Sequence, residues 1–315
     1  MAKIGLKITN KNQMRYFLII LLSLPRLIFA QDLFDELDKN VKPTKNYALA
    51  TFKSTRVING HSVETMAKNH LDFRISHRFG KINDGAYNFF GLDQASMRIG
   101  LEYGITDKLM AGLGRSTTDK TFDYFLKYKV TRQSSGKNAF PVSITALAAA
   151  DAITLSTSPQ FRFYNNLERW SYVGQILIAR KFGERLSLQL SPTAIHRNKV
   201  DNPVLSNDTF LAGVGGRIKL TKRTSFNGDY FYRLPVSTEP GYSPTAANYN
   251  SFSVGFDIET GGHVFQLHAT NSLGMTERMF LTQTTGQWLK GDIHYGFNIS
   301  RTFSFEKEKK RPAKN

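Results

Sequence analysis

The sequence predicts an all-β chain: a transmembrane, antiparallel, up-and-down β-barrel of about twelve strands, seated in the outer membrane of a Gram-negative cell. Three observations predict it. The stretch Gly291 to Phe305 sets Ile293, Tyr295, Phe297, Ile299, Phe303 and Phe305 on one face of a two-residue repeat, and Asp292, His294, Asn298, Ser300 and Thr302 on the other. That is the pattern of a strand with one face in lipid and one toward a lumen. The first thirty residues read as an export signal, and the connections farther on sort into very short and long ones.

Residues 1–30 begin with Lys3, Lys7, Lys11 and Arg15, continue through an apolar core from Tyr16 to Leu24, and end in Leu27-Ile28-Phe29-Ala30. A basic region, a short apolar core and a small residue at the cut describe a cleaved secretory signal, with cleavage expected after Ala30. Arg26 and Ile28 are unusual so close to the cut. The core is far shorter than the roughly 20 residues of a spanning helix. The chain has no cysteine, which excludes a lipid-anchored lipoprotein and a disulfide framework. Mean hydropathy is negative, as expected when lipid-facing and lumen-facing residues alternate.

Residues 31–62 are expected to be a periplasmic or lumen-inserted segment. Leu49 to Ile58 has an extended character but no consistent apolar face, since Phe52 and Ile58 alternate with Ser54 and Arg56. The barrel is expected over 63–305, followed by a disordered basic tail, 306–315.

From Leu71 the alternation becomes regular. Leu71, Phe73, Ile75 and Phe79 oppose Asp72, Arg74, Ser76 and Arg78. Met97, Ile99, Leu101, Tyr103 and Ile105 oppose Arg98 and Glu102, and a tight Thr106-Asp107-Lys108 turn leads to Leu109, Ala111 and Leu113. Phe122, Tyr124, Leu126, Tyr128 and Val130 oppose Asp123, Lys127 and Lys129; Val142, Ile144 and Ala146 form a weaker run. Three hairpin-like pairs complete the series with the last strand. Tyr172 to Phe182 turns into Leu186 to Leu190, Phe210 to Ile218 into Phe226 to Leu234, and Phe252 to Ile258 into Phe265 to Ala269.

The connections around Asp107, Glu184, Lys222 and Gly261 are very short, whereas 80–93, 150–168, 198–207, 235–248 and 271–287 are long and polar. Short periplasmic turns and long outer loops are the signature of an outer-membrane barrel. Counting back from a last strand that ends in the periplasm gives twelve strands. Fourteen become possible if Leu49 to Ile58 spans and a further strand hides in Ala152 to Asn165 or Glu277 to Gln283. Phe122, Trp170, Tyr172, Tyr232 and Trp288 fall near outer strand ends, and Tyr103, Tyr128, Phe182, Phe226 and Phe303 near inner ones, as two interfacial belts would.

The formal charge is +17, with five basic and no acidic residues in the first thirty. The charges are spread singly along strands rather than clustered on a helix or beside an aromatic platform, so no nucleic-acid partner is expected. The expected partners are outer-membrane lipid and, through the C-terminal strand, the barrel-assembly machinery. The lumen-facing candidates are Arg74, Arg98, Glu102, Lys127, Lys129, Arg217, Lys219, Asp229, Arg233, Asp257, His268 and His294. The set is mixed in charge with a basic bias, and buried charges must pair or stay wet.

No catalytic motif is present: there is no Gly-x-Ser-x-Gly elbow, no His-Glu-x-x-His and no phosphate-binding loop. The histidines form no metal-ligating pattern, and no cofactor is expected. A His and an Asp two residues apart share a strand face, which singles out His70 with Asp72 and Asp292 with His294. Barrel closure would bring their strands together.

Several blocks resemble one family, the domain-of-unknown-function 5777 family of uncharacterised outer-membrane β-barrel proteins. They are ATFKSTRVINGHSVET (Ala50 to Thr65), FRISHRFG (Phe73 to Gly80), LIARKFGERLSLQLSPTAIHRN (Leu177 to Asn198), GGRIKLTKRTSFNGDYFYRL (Gly215 to Leu234), GFDIETGGHVFQLHATNS (Gly255 to Ser272) and GDIHYGFNISRTF (Gly291 to Phe303). The resemblance implies a barrel and an outer-membrane address, and no activity, ligand or catalytic residue.

The expected function is a narrow pore or small-solute conduit with a basic lumen, non-enzymatic. The alternatives are a closed structural or binding barrel using its long extracellular loops, and a barrel lipid or peptide hydrolase using the two His/Asp pairs. Arginine at Leu188 should cost roughly 2–4 kcal/mol if that residue sits near the bilayer midplane, and replacement of the neighbouring Gln189 should cost little.

Overall fold

The computed structural model describes residues 45–158, 162–200, 206–235 and 248–306. The expected export signal with its cleavage point, and the tail beyond Glu306, lie outside them. Fourteen strands follow in chain order: β1 (Lys45–Tyr47), β2 (His70–Lys81), β3 (Ala95–Gly104), β4 (Leu109–Ser116), β5 (Thr121–Thr131), β6 (Ser134–Gly136), β7 (Ser143–Ile153), β8 (Trp170–Phe182), β9 (Leu186–Arg197), β10 (Asp208–Lys219), β11 (Thr224–Arg233), β12 (Ser251–Thr260), β13 (His263–Thr270) and β14 (His294–Ser304). Twelve of them close into one antiparallel barrel, each paired with its sequence neighbour apart from β5, which pairs with β7 across β6. The short β1 and β6 pair separately. Among the described residues neither proposed site supplies an extra strand, because residues 277–282 form a helix (Glu277–Thr282) and β7 ends at Ile153.

The ring closes between β14 and β2, where Ile299 pairs with Ile75 and Ser304 with His70. Closure leaves no free sheet edge, which a lipid environment cannot tolerate. The two-residue repeat sets the facing. Along β9, Leu186, Leu188 and Leu190 are exposed on the outer surface, while Ser187, Gln189 and Ser191 are buried inside.

Turn chemistry explains the short end. The Thr106 hydroxyl accepts hydrogen bonds from the N–H groups of Lys108 and Leu109, and Thr221 accepts from Arg223 and Thr224 in the same way. A hydroxyl bonded two and three residues onward stabilises a tight turn without a glycine. The β12–β13 hairpin turns on Gly261 and Gly262, both at positive φ (+48° and +89°), as a two-residue primed turn requires. At the long-loop end Trp170 stacks against Tyr124 and Tyr172, and Trp288 packs on Phe252 at 5.0 Å.

The core lies inside the ring. Met110, Phe125, Leu147, Ala149, Val173, Ile195, Leu211 and Phe231 point inward from β4 through β11 and enclose Phe280 and Leu281 of the helix. This apolar sector departs from the uniformly polar lumen the alternation suggests. Its strands are apolar on the outer face as well as the inner one and therefore carry continuous apolar runs, such as Ile176-Leu177-Ile178, in which Leu177 is buried and Ile176 exposed.

Candidate functional site

Two segments occupy the lumen. Residues 51–66 enter as a hairpin: the Val57 N–H donates to the Gly60 carbonyl at 2.8 Å, and the Ser62 N–H to the Thr55 carbonyl at 2.9 Å. Its tip is possible because residue 60 is glycine. A Cβ there would sit 2.5 Å from Cζ of Phe231. From Thr51 to Val63 only Lys53 is not fully buried. A backbone buried this way needs partners for its polar groups, and the wall supplies them. The Asp229 carboxylate accepts the N–H groups of Ile58, Asn59 and Gly60 at 2.9–3.2 Å. Lys127 Nζ donates to the carbonyls of Thr55, Ser62 and Glu64. Gln189 accepts from the Val63 N–H and donates to the His61 carbonyl, both at 2.7 Å. Gln266 donates to the Val57 carbonyl and to Asp257, and Arg78 to Asn59.

The second insert is the helix Glu277–Thr282, part of the long connection between β13 and β14, and every residue of it is buried. Phe280 packs on Phe231 with ring centroids 5.2 Å apart. The Arg278 N–H donates to Asp151, and the Arg278 guanidinium to Asp119. Arg233 donates to the Leu281 carbonyl.

The two inserts meet at Glu277. Its carboxylate lies 2.7 Å from Arg56 Nη1 and 3.1 Å from His61 Nε2. Burial followed by the Arg56 charge pulls His61 down to about 3, so the imidazole lies neutral beside the Glu277 carboxylate. Burial alone would raise Glu277, but Arg56, His61 and Arg98 outweigh it and hold the carboxyl well below the usual range. Arg56 also faces Glu102, which accepts from Thr55 and lies 3.7 Å from Arg74. Arg74 bridges Asp72, and Arg98 bridges Asp123.

Of the expected lumen set, Arg74, Arg98, Glu102, Lys127, Arg217, Asp229, Arg233, Asp257, His268 and His294 are buried inside the ring, while Lys129 and Lys219 are half-buried at its short-turn end. They are distributed among insert contacts and wall ion pairs rather than gathered into one basic ring. Arg217, for instance, donates to the carbonyls of Ala50 and Thr51. Two expectations need correction. The β2–β14 pairing joins the strands of the His/Asp pairs but runs antiparallel, so His70 lies opposite Ser304 and His294 opposite Lys81. The pairs are therefore separated by most of the strand length, roughly 35 Å at about 3.4 Å per residue. Asp292 lies in the preceding loop, where hydrogen bonds from the Gln287 N–H and the Asn83 amide hold its carboxyl below the usual range. Among the described residues no carboxylate bonds to His294, whose Nδ1 contacts the Phe79 carbonyl. The second correction concerns Gln189, which is not a free lumen residue but a partner of the hairpin backbone.

The model of the membrane bound beta barrel domain family, domain of unknown function 5777, matches residues 52–303. The chain belongs to this family. Because the match begins at Phe52, the luminal hairpin lies within the family's domain. Among solved structures, the chain is similar to an outer membrane channel from Pseudomonas putida F1, at 14% identity over 76% of this chain and 97% of that one, TM-score 0.46. It is also similar to the NanC porin, at 10% identity over 75% and 100%, TM-score 0.44, and to the KdgM porin, at 9% over 75% and 99%, TM-score 0.42. The search of curated proteins finds no match.

Sequence reasoning missed the inward helix and Asp151, which accepts from its Arg278 N–H; Asp123 was placed on the inner face but not among the candidate site residues. The strongest available signal was the apolar Met279-Phe280-Leu281 inside an otherwise polar loop. An exposed loop has no reason to carry three consecutive large apolar residues.

Proposed function

We propose that this family member is an outer-membrane conduit for small solutes, held closed by its two luminal inserts. The observation that carries this reading is the way the hairpin is held. Asp229, Lys127, Gln189, Gln266 and Arg78 hydrogen-bond to the hairpin, much of it through its backbone. These wall groups are polar enough to be hydrated when the hairpin leaves, and nothing covalent in the ring needs to break. A barrel whose interior were only a scaffold could fill its lumen with wall side chains alone. The hairpin also continues at its N-terminal side into β1, which pairs with β6 at the short-turn end, so withdrawal toward that end is sterically direct.

The test is an internal lock. A Cβ built on Gly215 lies 3.3 Å from Cγ2 of Val57, within the reach of a disulfide, and the chain has no cysteine to compete. The Val57→Cys/Gly215→Cys protein in a planar bilayer should be silent when oxidised. Reduction should restore the discrete openings of the wild type, with a salt gradient reading their ion preference. A demonstrably folded wild type that stays silent at all voltages, whether or not the lock is formed, would overturn the conduit reading and leave a closed structural barrel.

A further inference from the structure

At the short-turn end the chain forms a cleft of about 260 Å³ between β1, the end of β5 and the β3–β4 turn. Four cationic side chains line it, Lys45, Lys108, Lys129 and Arg132, against a single carboxylate, Asp107. The cations are only partly spoken for. Lys129 has Glu64 at 4.0 Å. Lys45 and Arg132 lie over the Tyr47 ring at 5.5 and 5.6 Å, and Arg132 donates Nε to the Ala48 carbonyl. Among the described residues no carboxylate forms an ion pair with Lys45, Lys108 or Arg132. A register shift between Lys129 and Thr131 interrupts the β5 ladder; such bulges re-aim side chains at the rims of barrels. One edge of the cleft is Val130, which with the neighbouring Tyr128 is half exposed on the outer surface of the ring. The same cleft thus offers excess positive charge on one side and, on the other, the apolar surface that meets acyl chains.

We propose that this cleft binds the phosphate of an anionic phospholipid headgroup from the leaflet at the short-turn end of the barrel, with the acyl chains running along Tyr128 and Val130. Cation-rich pockets beside a spanning element recognise acidic headgroups through the same charge that attracts any phosphate. The lipid source is favoured over a free anion because Val130, which lines the cleft, belongs to the exposed outer face of the ring. Tyr47 contributes a flat wall that holds the Lys45 and Arg132 stems against it, limiting the conformational freedom lost on binding.

The full chain is reconstituted in nanodiscs containing equal phosphatidylglycerol and phosphatidylcholine, and the lipids retained on extraction are counted by native mass spectrometry. Wild type should retain phosphatidylglycerol over phosphatidylcholine. Lys108→Gln/Arg132→Gln should cut that retention about tenfold, leaving the circular dichroism spectrum and phosphatidylcholine retention unchanged. Lys222→Gln/Arg223→Gln, which removes the same charge at the exposed β10–β11 turn, should behave as wild type. Equal loss in both double variants would mean diffuse charge attraction, and retention unaffected by Lys108→Gln/Arg132→Gln would mean no site; either overturns the proposal. Inorganic phosphate titrated into detergent-solubilised, lipid-free protein separates the sources. Saturable binding of phosphate alone, lost in Lys108→Gln/Arg132→Gln, together with no lipid preference, would assign the cleft to a soluble anion and refute the lipid reading.

Discussion

Glu277→Gln is the sharpest perturbation of the closed lumen. The substitution keeps size and one hydrogen-bonding oxygen but removes the charge that faces Arg56 at 2.7 Å, where both side chains are almost wholly buried. Breaking a buried ion pair by neutralising one partner costs about 3–5 kcal/mol, because the other charge stays desolvated. Here the loss belongs at the lower end. Glu102 lies 3.8 Å from the Arg56 Nε and takes over part of the compensation. A cost of about 3 kcal/mol on the docked state corresponds to roughly a hundredfold shift in the ratio of withdrawn to docked inserts. The barrel wall should be spared, since its strand ladders do not involve Glu277. The assay is open probability in planar bilayers, read beside the far-ultraviolet melting curve of the same preparation. The expected result is a large rise in opening with a wall that still melts cooperatively. Arg56→Gln combined with Glu277→Gln should recover part of the loss, as a coupled pair does. An opening probability equal to wild type in Glu277→Gln would refute the claim that this contact holds the inserts together.

Other expectations test facing, packing and pH. Leu188→Arg should destabilise the folded barrel by about 2–4 kcal/mol if the residue sits near the bilayer midplane. Gln189→Leu should also be costly, about 1–3 kcal/mol for each hairpin backbone group left without a partner; a neutral Gln189→Leu in urea titrations would show that the hairpin does not dock on β9. Gly60→Ala should push the hairpin tip off Phe231 and cost about 1–3 kcal/mol as overpacking, seen as increased protease cleavage within residues 51–66; unchanged cleavage would contradict the contact. Acid should loosen the inserts. His61 in the folded chain sits at about 3, below its ordinary 6.5, and Glu277 is also held below its ordinary 4.5. At these two sites folding excludes protons that the unfolded chain binds, so their contribution to stability is full above about pH 6.5, declines toward pH 3 through His61, and falls further below about 4.5 through Glu277. His61→Gln should flatten the limb between pH 6.5 and 4.5 in melting curves, and an unaltered slope there would exclude His61 as its source.

The wall of this protein was legible from its sequence because each lipid-facing strand obeys a local rule. A residue on a strand that borders lipid is apolar at every second position whatever lies across the lumen, so Leu71 to Phe79 or Leu186 to Leu190 announce both strand and face. Turn residues such as Thr106, Thr221 and Gly261-Gly262 are equally local. Position along the chain likewise placed Arg74, Glu102, Lys127 and Asp229 on the opposite face. What occupies that face was decided only by the tertiary structure. Residues 51–66 carry no period-two signal, since a hairpin surrounded by wall on all sides has no lipid face to pattern it. The Glu277 contact joins Arg56 and His61 across more than two hundred residues of chain, a pairing that exists only once twelve strands have closed. The antiparallel closure likewise separates His70 from His294, although both were correctly placed on neighbouring strands. Facing is a property of a strand and its solvent; partnership inside a closed ring depends on register and on which loops turn inward, and neither is written within any one segment.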